Sequence, residues 1–284
     1  MYKKVEAEIG GRILSIESGK VARQANGSVW VTYGETVVLV TAAAAKEPKP
    51  DMGFLPLTIE YQERLYSVGR IPGSFFRREI GRPTEKETLS ARFIDRPLRP
   101  LFPDNYMTET QVIATVLSAD QQNDPDTLAM IGASTALIIS DIPYTKAVAG
   151  VRVGYIDGAY VVNPTKDQLV HSRLDLIVAG TREAVVMVEG GADDLSEEEI
   201  MEGIFYGHEK LQAIIDLQEE LQAALGKIKR EVAQPEVDEA LVKRVEELAA
   251  SGISEVISTA DKMKRGQLYD ELKKRVVSRL EEEQ

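Results

Sequence analysis

The sequence of 284 residues has no cysteine, two histidines (His171 and His208) and one tryptophan. The lack of cysteine excludes a disulfide scaffold, a cysteine nucleophile and any thiolate-held zinc or iron–sulfur site. Two histidines leave little from which to build a multi-histidine metal site. No stretch reaches the ~18 apolar residues of a membrane-spanning helix. Residues Met1 to Glu6 lack the apolar run of a secretory signal. The expectation is a soluble cytoplasmic protein with no membrane partner. The length corresponds to about two domains of ~100–200 residues and needs no metal or disulfide staple to bury a core.

Positive charge is also in short supply. Lys and Arg number 34 against 46 Asp and Glu, a formal net charge of -12. Taken whole, that argues against a nucleic-acid binder, which is normally basic. The distribution changes the picture. Residues 61–99 hold nine bases and five acids, whereas residues 100–235 hold nine bases and 22 acids. One basic island sits in an acidic chain.

The first 65 residues read as strands. Arg12–Ile16 is one, and Val29–Tyr33 and Val37–Thr41 form a hairpin across Gly34-Glu35-Thr36. Leu57–Tyr61 is another. Thr84 and Glu87 spell a capping box, and Leu89 and Phe93, four apart, are expected to face the core, with Pro97 and Pro100 ending the helix. Val112–Leu117 is a strand. Asp124-Pro125 supplies an N-cap and a first-turn proline for an apolar helix reaching about Ile139. Strands follow at Val148–Tyr155, Leu174–Ala179 and Val185–Val188. Ser196 and Glu199 form a second capping box, opening a long amphipathic helix marked by Ile200, Ile204, Leu211, Ile214, Leu221 and Leu225. Gly226 and Pro235 bracket a boundary. Residues 1–230 thus read as an α+β or α/β domain, and residues 236–284 as a small module of two or three short helices with a sparse core.

The stretch from Gly69 to Pro83 carries the most chemistry. It places Phe75 and Phe76 beside Arg77 and Arg78, among Gly69, Gly73, Gly81, Pro72 and Pro83. Exposed aromatic rings stack on bases and guanidinium groups pair with phosphates, a combination suited to single-stranded nucleic acid. The alternative is a loop whose phenylalanines dock on a neighbouring subunit while its arginines are solvated. In the helix that follows, Arg92 and Arg96 are four apart and Arg99 lies one turn further, a stripe able to track phosphates. The alternative there is three surface arginines salt-bridged to Glu85 and Asp95. The glycines do not have the spacing of a nucleotide-binding loop. Asp193, Asp194 and Glu197–Glu199 fit acids drawn to a helix N-terminus better than a metal site. His171 and His208 read as structural or surface residues.

Several separated segments resemble one family. They are Gly19–Val29, Gly69–Pro83, Ala91–Pro103, Ala129–Ser134 and Asp175–Thr181. Together they resemble the bacterial polynucleotide phosphorylase (polyribonucleotide nucleotidyltransferase) family, from about Val5 to the C-terminus. The resemblance implies a fold class of α+β: a first RNase PH-like domain of β-α-β layers over residues 1–230, then an all-α linker domain over 236–284 that stops short of its full length. It implies an enzyme that degrades RNA from the 3′ end with inorganic phosphate as co-substrate and Mg²⁺ as cofactor, releasing nucleoside diphosphates, and that polymerises RNA in reverse. It implies single-stranded RNA as partner, a homotrimeric ring and association with other RNA-degradation proteins.

The resemblance also assigns residues. Phe75, Phe76, Arg77 and Arg78 would line a pore constriction with Arg82 nearby, and Arg92, Arg96 and Arg152 would handle RNA or phosphate. The family's catalytic aspartate–aspartate–lysine set belongs to a second copy of the domain. Its positions correspond here to Leu169, Asp175 and Ile177. No catalytic and no metal-binding residue is therefore expected in this chain. Ile80 is an extra residue between Glu79 and Gly81 that alters the register of Arg82. The other reading of the chain is a non-catalytic assembly module.

Overall fold

The computed structural model describes residues 1–48, 53–71, 73, 81–232 and 238–283. Phe75, Phe76, Arg77, Arg78 and Ile80 lie outside the described residues. The chain divides into two compact units, Met1–Val232 and Ala233–Gln284.

The first unit holds two sheets. Strands β1 (Lys3–Ile9), β2 (Arg12–Ser18), β3 (Gly27–Tyr33), β4 (Thr36–Ala44), β5 (Leu57–Glu63) and β6 (Thr110–Ser118) form one, in the order β1-β2-β3-β4-β6-β5. All its pairs are antiparallel except β5 with β6. The β3–β4 hairpin turns at Gly34, whose φ of 61° is a left-handed value that glycine adopts without strain. Strands β7 (Ala149–Ile156), β8 (Ala159–Val162), β9 (Leu174–Gly180) and β10 (Val185–Ala192) form the second, wholly antiparallel sheet in the order β10-β9-β7-β8.

Helix α2 (Pro125–Ile139) packs against β3, β4, β6 and β7. Every residue from Thr127 to Ile139 is buried, so its apolar character runs all round rather than along one stripe. Gly132 makes the close approach possible: a Cβ there would sit 2.5 Å from Cγ2 of Val40. The expected N-cap does not form. Asp124 occupies the N-cap position without capping, because its carboxylate is ion-paired with Arg152.

Helix α1 (Glu85–Leu98) starts at the predicted capping box, with Thr84 and Glu87 exchanging side-chain and backbone hydrogen bonds. Its buried positions are Ser90, Phe93, Ile94, Pro97 and Leu98. Leu89 is 59% exposed, contrary to the expectation that it joins Phe93 in the core. At about 100° per residue it falls on the flank of that five-residue stripe, toward solvent. Pro97 does not end the helix; it lies in the last turn, and the chain tightens into a 3₁₀ turn at Arg99–Leu101. The short helix α3 (Lys166–Leu169) follows β8. Helix α4 (Glu197–Leu225) begins at the Ser196–Glu199 capping box and lays Leu211, Ile214, Ile215, Leu217 and Leu221 into the core.

The second unit is a pair of helices, α5 (Glu239–Ser258) and α6 (Lys262–Glu282), longer than the sequence suggested. Ala249, Val256, Leu272 and Val276 make its small core. Asp238 and Asp261 cap the two helices by accepting backbone N–H bonds. No helix among the described residues is long and apolar enough to cross a membrane.

Candidate nucleic-acid interface

Helix α1 sorts its arginines by face. The stripe of buried residues points at the core, so Arg92 and Arg96 emerge on the opposite side and are exposed, while Arg99 is half-buried. Arg82, three residues before the helix, is exposed as well. Arg82, Arg92 and Arg99, with Arg64, line a cavity of about 420 Å³ between β5 and α1, whose apolar wall is Leu57, Ile59 and Ala91.

Arg82, Arg92, Arg96 and Arg99 do not share one state. Arg99 is spent on structure: Nε and Nη2 donate to Asp95 at 2.9 and 2.8 Å, and the fork also reaches the carbonyls of Leu55 and Leu57 at 3.2 and 3.0 Å. Arg96 donates to Glu189 on β10 at 2.8 Å. Arg92 and Arg82 make no hydrogen bond or ion pair among the described residues. The salt-bridged alternative for the stripe is therefore right for Arg99, with Asp95 as predicted. For Arg96 the partner is Glu189 rather than Glu85, and for Arg92 there is none.

Acids in the same cavity are held back from it. Glu87 loses solvent, which pushes its carboxyl up, but the N–H groups of Thr84 and Glu63 outweigh this and bring it below the ordinary value. Its charge serves the helix cap. Glu60 accepts from Gln62 and Gln111 at 3.3 and 3.0 Å. Asp95 is neutralised by Arg99. The cavity lining holds four arginines, Arg64, Arg82, Arg92 and Arg99, against the three carboxylates of Glu60, Glu87 and Asp95.

Arg152 lies elsewhere. It sits on β7, one-fifth exposed, pairs with Asp124, and donates from Nε to Asp175 at 2.7 Å. It lines a small cleft with Tyr33, Asn123, Thr127, Asn163 and Pro164. The structure thus brings Arg82 and Arg92 to one cavity and sets Arg92 and Arg96 side by side, but assigns Arg152 to an ion-paired cluster of its own. Glu189, Asp124 and Asp175 escape a local reading of sequence, because each meets its arginine over 23 to 93 residues of chain.

The same cluster tests for a metal. Asp175 is the one acid at the three positions Leu169, Asp175 and Ile177, and its oxygens face Arg152. Ile177 is buried. Among the described residues no three histidine or acidic side chains gather where they could hold an ion. These residues do not make a Mg²⁺ site.

Residues 10–143 match the 3′ exoribonuclease family, domain 1, and residues 146–210 match domain 2 of the same family, both named for RNase PH. The chain belongs to the 3′ exoribonuclease family. Its two sheets and helices are the α+β fold of that family. Among its relatives, the polyribonucleotide nucleotidyltransferase of Desulfotalea psychrophila is 57% identical over 284 residues, 100% of this chain and 41% of that protein. The protein of that name from Geobacter sulfurreducens is 54% identical over 262 residues, 92% of this chain and 37% of its own length. The one from Desulfatibacillum aliphaticivorans is 52% identical over 283 residues, 100% of this chain and 40% of its own. The chain spans about 40% of the length of these curated relatives.

Proposed function

We propose that this chain is the RNA-gripping and ring-forming part of a phosphate-dependent 3′-to-5′ exoribonuclease. In that reaction an oxygen of inorganic phosphate attacks the phosphorus of the terminal phosphodiester. The 3′ oxygen of the preceding nucleotide leaves and takes a proton, and a nucleoside diphosphate is released. The nucleophile is a free anion, so cysteine and histidine are not needed. The attacking phosphate and any Mg²⁺ would be bound by parts of the enzyme that these residues do not supply. This chain's contribution is to bind and orient the strand.

The observation that carries this reading is the pair of exposed guanidinium groups of Arg82 and Arg92, without a partner among the described residues, on the cavity beside α1. They are available to phosphates without breaking an existing bond. The chain's relationship to polyribonucleotide nucleotidyltransferases supports RNA as the polyanion. Phe75, Phe76, Arg77 and Arg78 would supply the constriction, Arg96 would extend the α1 stripe, and Arg152 would act from its own cleft. The domain assignment is part of the proposal: an RNase PH-like domain over residues 1–230 and a helical linker domain over 236–284, assembled as a homotrimer in the cytoplasm, with other RNA-degradation proteins as partners.

The test is a titration of single-stranded RNA into the 284-residue chain at several salt concentrations. Binding should weaken with salt by a slope of about 0.7 per phosphate contacted. Absence of any salt-dependent RNA binding would reject the reading. Light scattering after size exclusion tests the trimer.

A second reading, an assembly module alone, is favoured by one observation. Leu65, Tyr66, Val68 and Ile71 are exposed apolar residues, Ile71 at 90%. Trimerisation without RNA binding would select it.

A further inference from the structure

Arg96, like Arg99, already holds an anion, but its partner comes from another sheet. Its Nη1 donates to Oε2 of Glu189 at 2.8 Å, with the two side chains 55% and 52% exposed. The pairing is not a local consequence of helix spacing. Glu189 comes from β10, an edge strand of the second sheet, and Arg96 from a helix that packs on β5 of the first. Glu189 has no other partner among the described residues. Its backbone is set in the ladder opposite Ile177 of β9, so the carboxylate is presented from a fixed strand. A carboxylate offers a guanidinium the same paired oxygen acceptors as a phosphate. An ion pair this exposed is weak and screened, so an incoming phosphate can displace it.

We infer that Glu189 is a built-in competitor for the RNA phosphate at Arg96, and that it sets how tightly and how salt-sensitively the α1 arginine face holds RNA. The inference rests on the proposal that this face binds RNA. Arg82 and Arg92 are open cations, whereas Arg96 becomes one only when Glu189 lets go. Each phosphate reaching Arg96 must therefore replace a carboxylate and meet its charge. Removing that charge while keeping the side chain's shape frees Arg96 and removes the repulsion. Glu189 acts through Arg96 and touches no reacting atom.

The experiment measures binding of a fluorescent single-stranded oligoadenylate to the 284-residue chain by anisotropy, across a salt series. The variants are Glu189→Gln, Arg96→Gln, Arg92→Gln and the Glu189→Gln/Arg96→Gln double. Glu189→Gln is expected to tighten binding about two- to fivefold, the range set by an exposed ion pair. It should also steepen the dependence of log K on log salt by about 0.7, one phosphate contact. In the Arg96→Gln background the same change should tighten binding less and leave the salt slope unchanged, since only the repulsion is then removed, which a purely structural role for Glu189 would not reproduce. Thermal unfolding of Glu189→Gln should match the parent, because both partners are exposed. Unchanged affinity and slope in Glu189→Gln, with weakened binding in the arginine variants, would overturn the competition alone. Weaker binding in Glu189→Gln would also overturn it, since the carboxylate would then be orienting Arg96 for RNA. Unaltered binding in both arginine variants would reject the RNA face and the competition with it.

Discussion

Arg99, at the C-cap of α1, and Asp95, four residues before it, share two hydrogen bonds of 2.8 and 2.9 Å, while the rest of the Arg99 fork closes on the carbonyls of Leu55 and Leu57. Arg92, on the same helix and lining the same cavity, has no such partner. Two arginines of one stripe should therefore fail in different ways. Arg99→Gln should cost about 1–3 kcal/mol of stability, because Asp95 and two carbonyls lose their donors. Arg92→Gln should leave the denaturant midpoint close to that of the parent and lower RNA affinity several-fold, with a shallower salt slope. Equilibrium unfolding and RNA anisotropy on both variants check the split.

The stretch Phe75–Arg78 carries the heavier expectation for RNA. Stacking on an aromatic ring is worth about 1–3 kcal/mol per base. Replacing Phe75 and Phe76 by alanine should weaken RNA binding at least tenfold and leave its salt slope nearly unchanged. Replacing Arg77 and Arg78 should weaken it and flatten the slope. The same salt-series titration distinguishes them.

Arg152 joins Asp124, at the start of α2, to Asp175 on β9. Arg152→Met would leave two acids facing each other without the cation between them. The expected loss is about 3 kcal/mol, in the range for breaking a largely desolvated pair. The double change Arg152→Met with Asp175→Leu should recover part of it. Urea unfolding of the two variants measures the recovery.

Gly132 lies where α2 meets β4. Gly132→Ala would put its Cβ 2.5 Å from Val40 Cγ2. The gain in helix propensity is about 1 kcal/mol, and overpacking costs about 1–3 kcal/mol. The net is expected to be a loss, and Val40→Ala in the same chain should relieve it. Thermal unfolding of the single and double variants reads the coupling.

Asp120 ties the end of β6 to the β3–β4 turn. Burial raises its carboxyl, but N–H bonds from Asn123 and Gln122 prevail and hold it down to about 2; it also accepts from Glu35. Its folded value lies below the unfolded 3.8. Its contribution is therefore complete above about pH 4 and is lost as pH falls toward 2. Asp120→Asn should lower stability at neutral pH by about 1–2 kcal/mol. The gap from the parent should shrink below pH 4. Unfolding curves at pH 7 and pH 3 test both parts.

Much of this molecule was determined along the chain. The capping boxes at Thr84 and Ser196, the hairpin at Gly34 and the helix from Pro125 depend on residues within a turn of one another, and local chemistry is enough to place them. The basic island and the exposure of Arg92 and Arg96 also follow from spacing, since residues four apart share a face. Tertiary structure decided what those residues do next. Leu89 looked like a core residue by its distance from Phe93, yet it lies on the exposed flank of α1. Asp124 looked like a cap, yet Arg152, 28 positions on, takes its carboxylate. The sequence alone determined that an arginine stripe would exist. Only the fold could decide that Arg99 is consumed by Asp95, that Arg96 is held by a carboxylate from another sheet, and that Arg92 is left open. Charge interactions act through space, and the distances that govern them appear only when the two sheets come together.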